Sequence, residues 1–477
     1  MKNSNISPAT AASALYTICT VWFFWGFVAA SNGVFIPFCK SHFQLNQFQS
    51  QLIEFAFYGA YFIGSLILWL WSQITGIDIL NKLGYKNAII LGLGISIIGA
   101  LGIIPSVHLG SFNLILLSFF VVALGFSMQQ VASQPYIIAL GPPESGTHRI
   151  SLAGAVNSIG TLLGPLVVSF IIFGKVGAAN TSASITSIDT MYVVLAIVFG
   201  AAIALLWFSK LPEITNDEPF ERGLGALKYP QLVLGMIAIF VYVGVEVTIQ
   251  SNMGELLKQE AFGGYSTAQI GSFISLYWGS LMIGRMTGAL SAFNISKGLQ
   301  NVLTFLVPII GFLLILGVNM LNGNEVSEFY PYILCVILLA AGILFANRRP
   351  FILLLVLSGF GMAAMGIGLF FSGKFALYAL ISGGLCCSVM WPCIFPSGIA
   401  GLGKYTNQGA SFLIMMILGG AIIPPLQGAI SDSFGIHLSY IVPLLGFGYL
   451  AFFALRVKKV LKDQGLDFDN MQSGGGH

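Results

Sequence analysis

The chain has 477 residues, 56% of them apolar and only 8% charged, against roughly 25% charged in an average soluble domain. So few charges cannot build a water-exposed surface, and a mean hydropathy of +0.89 describes an all-α polytopic membrane protein solvated mostly by lipid. The net charge of +3 carries no nucleic-acid signal, because in a membrane protein what matters is the side on which the positive residues lie.

Apolar runs broken by charged or Gly/Pro/Asn-rich punctuation predict fourteen helices. They fall at about 11–38, 49–75, 87–105, 112–140, 150–174, 187–209, 229–254, 266–292, 300–320, 330–347, 350–371, 375–400, 406–431 and 437–456. At about 20 residues per span they leave no room for a large soluble domain. The first run is too long for the apolar core of a cleavable signal and reads as the first span. Six cysteines (Cys19, Cys39, Cys335, Cys386, Cys387, Cys393) lie in or at the ends of these runs without metal-ligand spacing, as small apolar packing residues do. No metal and no cofactor beyond a coupling ion is expected. With the N-terminus cytoplasmic, sixteen Lys and Arg fall in inner connections, and four, Lys40, Lys175, Lys258 and Lys374, fall outside. That asymmetry orients the chain and requires an even number of spans with both termini cytoplasmic.

The longest internal polar stretch, 210–228 (KLPEITNDEPFERGLGALK), divides a six-helix half at 1–209 from a longer one at 229–457, with a tail at 458–477. The segment from Pro135 (PYIIALGPPESGTHRISLAGAVNSIGTLLGPLV) echoes the one from Pro392 (PCIFPSGIAGLGKYTNQGASFLIMMILGGAIIPPLQG), closing on Pro165 and Pro425. Parallel repeats of this kind build carriers from two rocking bundles. Aligning them leaves two surplus helices at about 300–346, a 12 + 2 plan. Fourteen-helix drug antiporters carry their extra pair at the mid-chain loop instead.

Ionisable groups inside spans are functional candidates, since one at a helix centre costs about 2.5–3.5 kcal/mol. Two carboxylates qualify, Glu54 in the second helix and Glu246 in the seventh. Glu246 reads either as a ligand for a substrate hydroxyl or coupling cation, or as a packing carboxylate satisfied by a neighbour. Glu54, only about five residues into its helix, is placed either there or at head-group level, where a carboxylate is cheap. Arg285 and Arg149 are candidate gating cations. The neutral polar residues are Ser31, Asn32, Gln129, Gln130, Ser133, Gln134, Asn157, Ser158, Gln250 and Asn252, with Trp25, Tyr58, Tyr61, Tyr277, Trp278 and Trp391 as aromatic faces. Amides beside indole and phenol rings suit a polyhydroxyl ring, whose hydroxyls need donors and acceptors while its C–H faces stack. The plainer alternative is that the amides glue helices and the aromatics form belts. No catalytic constellation lies within the spans and no filter motif suggests a channel, so a carrier is expected rather than an enzyme.

FFWGFVAASNGVFIPF, FAFYGAYFIGSL, LGYKNAIILGL, SQPYIIALGPPESGTHRISLAGAVNSIGTLLGP and CIFPSGIAGLGKYTNQGASFLIMMILGGAIIPPLQG resemble the fucose/galactose/glucose:proton symporter family of the major facilitator superfamily. The resemblance implies two pseudo-symmetric six-helix bundles plus the hairpin, in a bacterial inner membrane protein acting as a monomer. It implies import of a monosaccharide: glucose or galactose first, with fucose or an N-acetylhexosamine as alternatives. By position it assigns Trp25, Asn32 and Asn157 to the substrate. With the polar and aromatic residues above, the candidate sugar site is Trp25, Asn32, Gln130, Gln134, Asn157, Gln250, Tyr277 and Trp391, and the candidate coupling residues are Glu246 and Glu54. Two departures stand out. Gly33 and Gln130 occupy positions where the L-fucose permease has acidic residues, and a glutamine cannot cycle a proton. Proton symport, sodium symport and uniport all remain open at this point.

Overall fold

The computed structural model describes residues 8–76, 82–140, 146–173, 185–212, 222–290, 296–321, 323–346, 349–402 and 405–466. The first half comprises α1 (Pro8–His42), α2 (Gln47–Thr75), α3 (Tyr85–His108), α4 (Phe112–Ala139), α5 (Gly146–Phe173) and α6 (Ile185–Phe208). The second opens with α7 (Pro230–Leu257), α8 (Thr267–Ala289), α9 (Lys297–Leu321), α10 (Ile333–Ala346) and α11 (Pro350–Phe370). It closes with three broken spans: α12 (Gly373–Ile381), α13 (Gly383–Cys387) and α14 (Met390–Ile399); α15 (Thr406–Met415) and α16 (Gly419–Phe434); α17 (Ile436–Ser439) and α18 (Ile441–Asp463).

Among the described residues, 12 helices are long and apolar enough to cross a membrane. Two more, α5 and α8, have 28 and 23 residues and complete fourteen passes. α5 qualifies only as a shorter apolar helix, Leu152–Val168, and α8 falls short in hydropathy because it carries Gln269, Arg285 and several serines. The burial pattern is that of a chain in lipid. Phe208, Phe345, Phe370 and Leu321 are 75–90% exposed while Gln51, Glu54, Gln129, Gln250 and Asn252 are fully buried, because hydrocarbon cannot satisfy polar groups.

The packing repeats across the two halves. In the first, α1 packs on α5, and α3 packs on α4 and α6; in the second, α7 packs on α16 and α11 on α18. This makes α11 the counterpart of α3, so the surplus pair is α9 and α10, seated chiefly on α8 and α11. A 3-10 turn at Ser327–Tyr332 leads into α10. The halves meet along two seams related by the same pseudo-symmetry, α2 against α16 and α5 against α8. Sequence periodicity misses two features. The expected spans at 375–400 and 406–431 are interrupted, the second by a 3-10 turn at Met416–Leu418. The last helix also runs on to Asp463, into the stretch expected to be tail, because Val457 and Leu461 are fully buried. Residues 213–221 of the polar stretch and 467–477 of the tail lie outside the described residues.

The glycine content has a packing reason. A Cβ at Gly160 would stand 2.1 Å from the Phe23 carbonyl oxygen, and one at Gly164 2.4 Å from that of Phe27, so α1 and α5 touch backbone to backbone. In a bilayer such close approach replaces the hydrophobic drive that lipid removes. Gly160→Leu is expected to force α1 off α5 and destabilise the protein by about 3 kcal/mol, at the upper end of overpacking costs. A lowered melting temperature and loss of monodisperse elution in detergent are the readouts.

Candidate functional site

α1 begins on the side of the membrane where α18 ends, here called the terminal side, and ends on the far side. Midway along it, two indoles reach α4. Trp22 Nε1 donates to Ser133 Oγ at 3.2 Å, and Trp25 Nε1 to Gln129 Oε1 at 3.0 Å. Gln129 Nε2 is held in turn by Ser96 Oγ at 3.2 Å, so the amide that positions Trp25 is Gln129. The neighbouring Gln130 lies beside Tyr61 of α2 instead. Asn157 on α5 donates to the Trp22 carbonyl at 2.8 Å. Gln134 is half-buried one turn from Gln130. Trp25, Asn157, Gln130 and Gln134 therefore line one region of the first half.

Across from them, α7 and α8 hold a charge pair. Glu246 Oε1 lies 3.6 Å from Arg285 Nη2, and its Oε2 accepts from the Tyr242 hydroxyl one turn earlier. Tyr277 clamps the same turn by donating to the Glu246 carbonyl at 2.7 Å. Arg285, placed by the sequence toward the terminal end of its helix, turns its guanidinium inward. Nη1 reaches Ser158 Oγ at 3.2 Å and Asn157 Oδ1 at 3.5 Å, tying the halves together beside Asn157. Trp391 stacks on Phe395 at 5.5 Å between centroids and tilts against Tyr242 at 6.3 Å. Arg149 is apart from this group, donating to the Ile137 carbonyl at 2.8 Å.

Glu54 lies elsewhere again, about 10 Å into α2 by helix rise. It is fully buried between helices. Asn32 Nδ2 donates to Oε2 at 3.1 Å and Gln250 Nε2 to Oε1 at 3.0 Å, so α1, α2 and α7 meet on one carboxylate. Asn32 and Gln250, both expected to face a sugar, are engaged by Glu54. Among the described residues no Lys, Arg or His pairs with it. Toward the far side the seam continues: Gln51 Nε2 donates to the Ser251 carbonyl at 3.3 Å and Gln47 Nε2 to Asn252 Oδ1 at 2.8 Å. Sequence reasoning passes over Gln47 and Gln51, although 47, 51, 54 and 58 fall on one helix face at spacings of four, three and four, which marks the seam.

A family model described as Major Facilitator Superfamily matches residues 17–347. A "Glucose/galactose transporter" of Brucella abortus biovar 1 (strain 9-941) is 32% identical over 445 residues, 93% of each chain. The chain belongs to the fucose/galactose/glucose:proton symporter family of the major facilitator superfamily. An "L-fucose-proton symporter" of Escherichia coli (strain K12) is 26% identical over 464 residues, covering 92% of this chain and 91% of that protein. The crystal structure of the major facilitator transporter FucP in the outward conformation shares the fold, with a TM-score of 0.63 at 23% identity over 94% of this chain and 99% of that one.

Removing one member of a buried ion pair strands the other, at about 3–5 kcal/mol. Since Arg285 is 23% exposed, Arg285→Ala is expected to cost nearer 2–3 kcal/mol after solvent screening. The double variant Arg285→Ala/Glu246→Gln is expected to regain most of that loss. Thermal melts of the single and double variants measure both.

Proposed function

We propose that the chain is a secondary active transporter that imports a monosaccharide, glucose or galactose before fucose or an N-acetylhexosamine, together with a cation by alternating access. The positive residues put the terminal side in the cytoplasm of a bacterial inner membrane. In this reading the 1–209 and 229–457 bundles rock about the 210–228 linker. Similar proteins named for glucose, galactose and fucose support the substrate class. So does the charge balance: Arg285 is compensated by Glu246, so the region around Trp25, Asn157, Tyr277 and Trp391 offers rings and amides without a free charge and suits an uncharged polyol.

The observation that carries the coupling is Glu54, a fully buried carboxylate held by two amides and, among the described residues, no cation. A buried anion without a counter-ion is costly, so the site favours binding a positive ion when it closes. A proton fits best. Gln250 Oε1 is buried without a partner, and turning that amide end for end presents the acceptor that a protonated Glu54 needs, whereas sodium would require both amides to turn and further oxygens to converge. Glu54 is thus the coupling residue, and Glu246 neutralises Arg285 beside the sugar. A uniporter would need no ion-binding carboxylate at the junction of the halves.

Uptake of labelled glucose, galactose, fucose and N-acetylglucosamine into proteoliposomes under separate proton and sodium gradients tests this reading. Wild-type protein is expected to accumulate one of them under an inward proton gradient. Glu54→Gln keeps the hydrogen bonds and removes the titration, so it is expected to abolish accumulation while retaining at least half of the counterflow rate. Accumulation by Glu54→Gln at the wild-type level would remove the assignment. Lack of accumulation of all four sugars by wild type under both gradients would remove the symporter.

A further inference from the structure

On the far side of the membrane a carboxylate of one half caps a helix of the other. α2 begins at Gln47, and the first four amide N–H groups of a helix have no partner within it. With Asn46 as N-cap, two are satisfied locally by a capping box: Gln49 N–H donates to Asn46 Oδ1 at 2.7 Å and Asn46 N–H to Gln49 Oε1 at 3.0 Å. The other two cross between the halves. Gln47 N–H and Phe48 N–H donate to Oδ1 and Oδ2 of Asp432, near the end of α16, each at 2.9 Å. Both carboxylate oxygens are committed to one backbone terminus, where the negative charge also meets the positive end of the helix dipole.

Local packing makes the cap reachable. A Cβ on Gly428, one turn before Asp432, would stand 3.0 Å from Phe48 Cα and 3.1 Å from the Gln47 carbonyl, so a side chain there would push α16 away from α2. Beside the cap, Lys40 of α1 lies 3.1 Å from Glu255 of α7, and Gln47 holds Asn252. Gln51 and Glu54 follow one and two turns deeper on the same face of α2.

We propose that Asp432 is the positioning residue of a far-side latch. By capping α2 from the opposite half it holds the far-side mouth closed above Glu54, and it lets go each time the carrier opens to that side. This rests on the alternating-access reading of the preceding subsection. The two hydrogen bonds exist only while the mouth is shut, so their loss shifts the population toward the far-open state without touching Glu54, Glu246 or the sugar residues.

The test is made on the full chain in nanodiscs, where a reagent reaches both faces. Ser251→Cys on α7, 1% exposed in the closed seam, is the reporter, and its alkylation rate with a membrane-impermeant maleimide is measured against the parent protein carrying only the native cysteines. Adding Asp432→Ala is expected to raise the rate about tenfold. Asp432→Asn, which keeps one acceptor and loses the charge, is expected to raise it less. Asp189→Asn, whose carboxylate pairs with His108 inside the first half at 2.8 Å, is expected to leave it unchanged and serves as the control for loss of a far-side carboxylate as such. Labelling requires neither sugar nor gradient, so a rise supports the latch whatever the uptake assays show. An unchanged rate in monodisperse Asp432→Ala overturns it; should that variant fail to fold, an unchanged rate in Asp432→Asn does the same.

Discussion

Glu54 sets the terms on which the two halves fit together. The bilayer core supplies no water to a carboxylate, so each of its oxygens needs a donor from the protein. Those donors come from Asn32 of α1 and Gln250 of α7, one in each half. The carboxylate is therefore fully satisfied only when the halves are closed against each other at that level. Separating them strands Glu54 or hands it to water, so its ligation and the closure of the seam are one event.

The contacts within a half and those between halves differ in kind. Within the first half, α1 rests on α5 through glycines that bring backbone against backbone, a fit that is lost if either helix slides. Between the halves there is close packing too, as of Gly428 on Phe48 and Trp69 on Phe412, but the seams also carry amides, a capped helix terminus and ion pairs: Gln47 with Asn252, Gln51 with the Ser251 carbonyl, Lys40 with Glu255, Arg285 with Ser158. Each such group can exchange its protein partner for water when a cavity opens, at a small net cost per hydrogen bond. Tight apolar packing inside each bundle and exchangeable polar contacts between bundles are what rigid-body rocking requires.

Much of this was legible in the sequence, because lipid makes the hydrophobic pattern strict. Apolar runs gave the spans, and the echo between the segments from Pro135 and Pro392 pointed to a surplus pair at about 300–346, where the structure has α9 and α10. The breaks at α12–α14 and α15–α16 were hidden, since a span interrupted by Ser, Gly or a 3-10 turn keeps its hydropathy while losing its helical continuity. Individual partners were least legible. Nothing local distinguishes Gln129, which holds Trp25, from Gln130, which lies beside Tyr61; helix rotation decides it. Asp432 reads as an ordinary acid at a helix end, and its role depends on a helix start 385 residues away.

The two missing acids, at Gly33 and Gln130, acquire a physical reading from this arrangement. A carboxylate at either position would belong to α1 or α4. Glu54 lies on the seam itself, between α1 and α7. In the proposed reading a charge there separates two tasks: Trp25 and Asn157 keep their places, held by Gln129 and the Trp22 carbonyl, while the ionisable group responds to whether the halves have met. An ion bound at such a position stabilises the closed seam directly, because a proton on Glu54 removes the charge that makes its burial costly. In the proposed reading the sugar would act through Arg285 and Asn157 on the other seam, α5 against α8. Coupling would then need no contact between ion and sugar: each would relieve a different cost of bringing the same two bodies together.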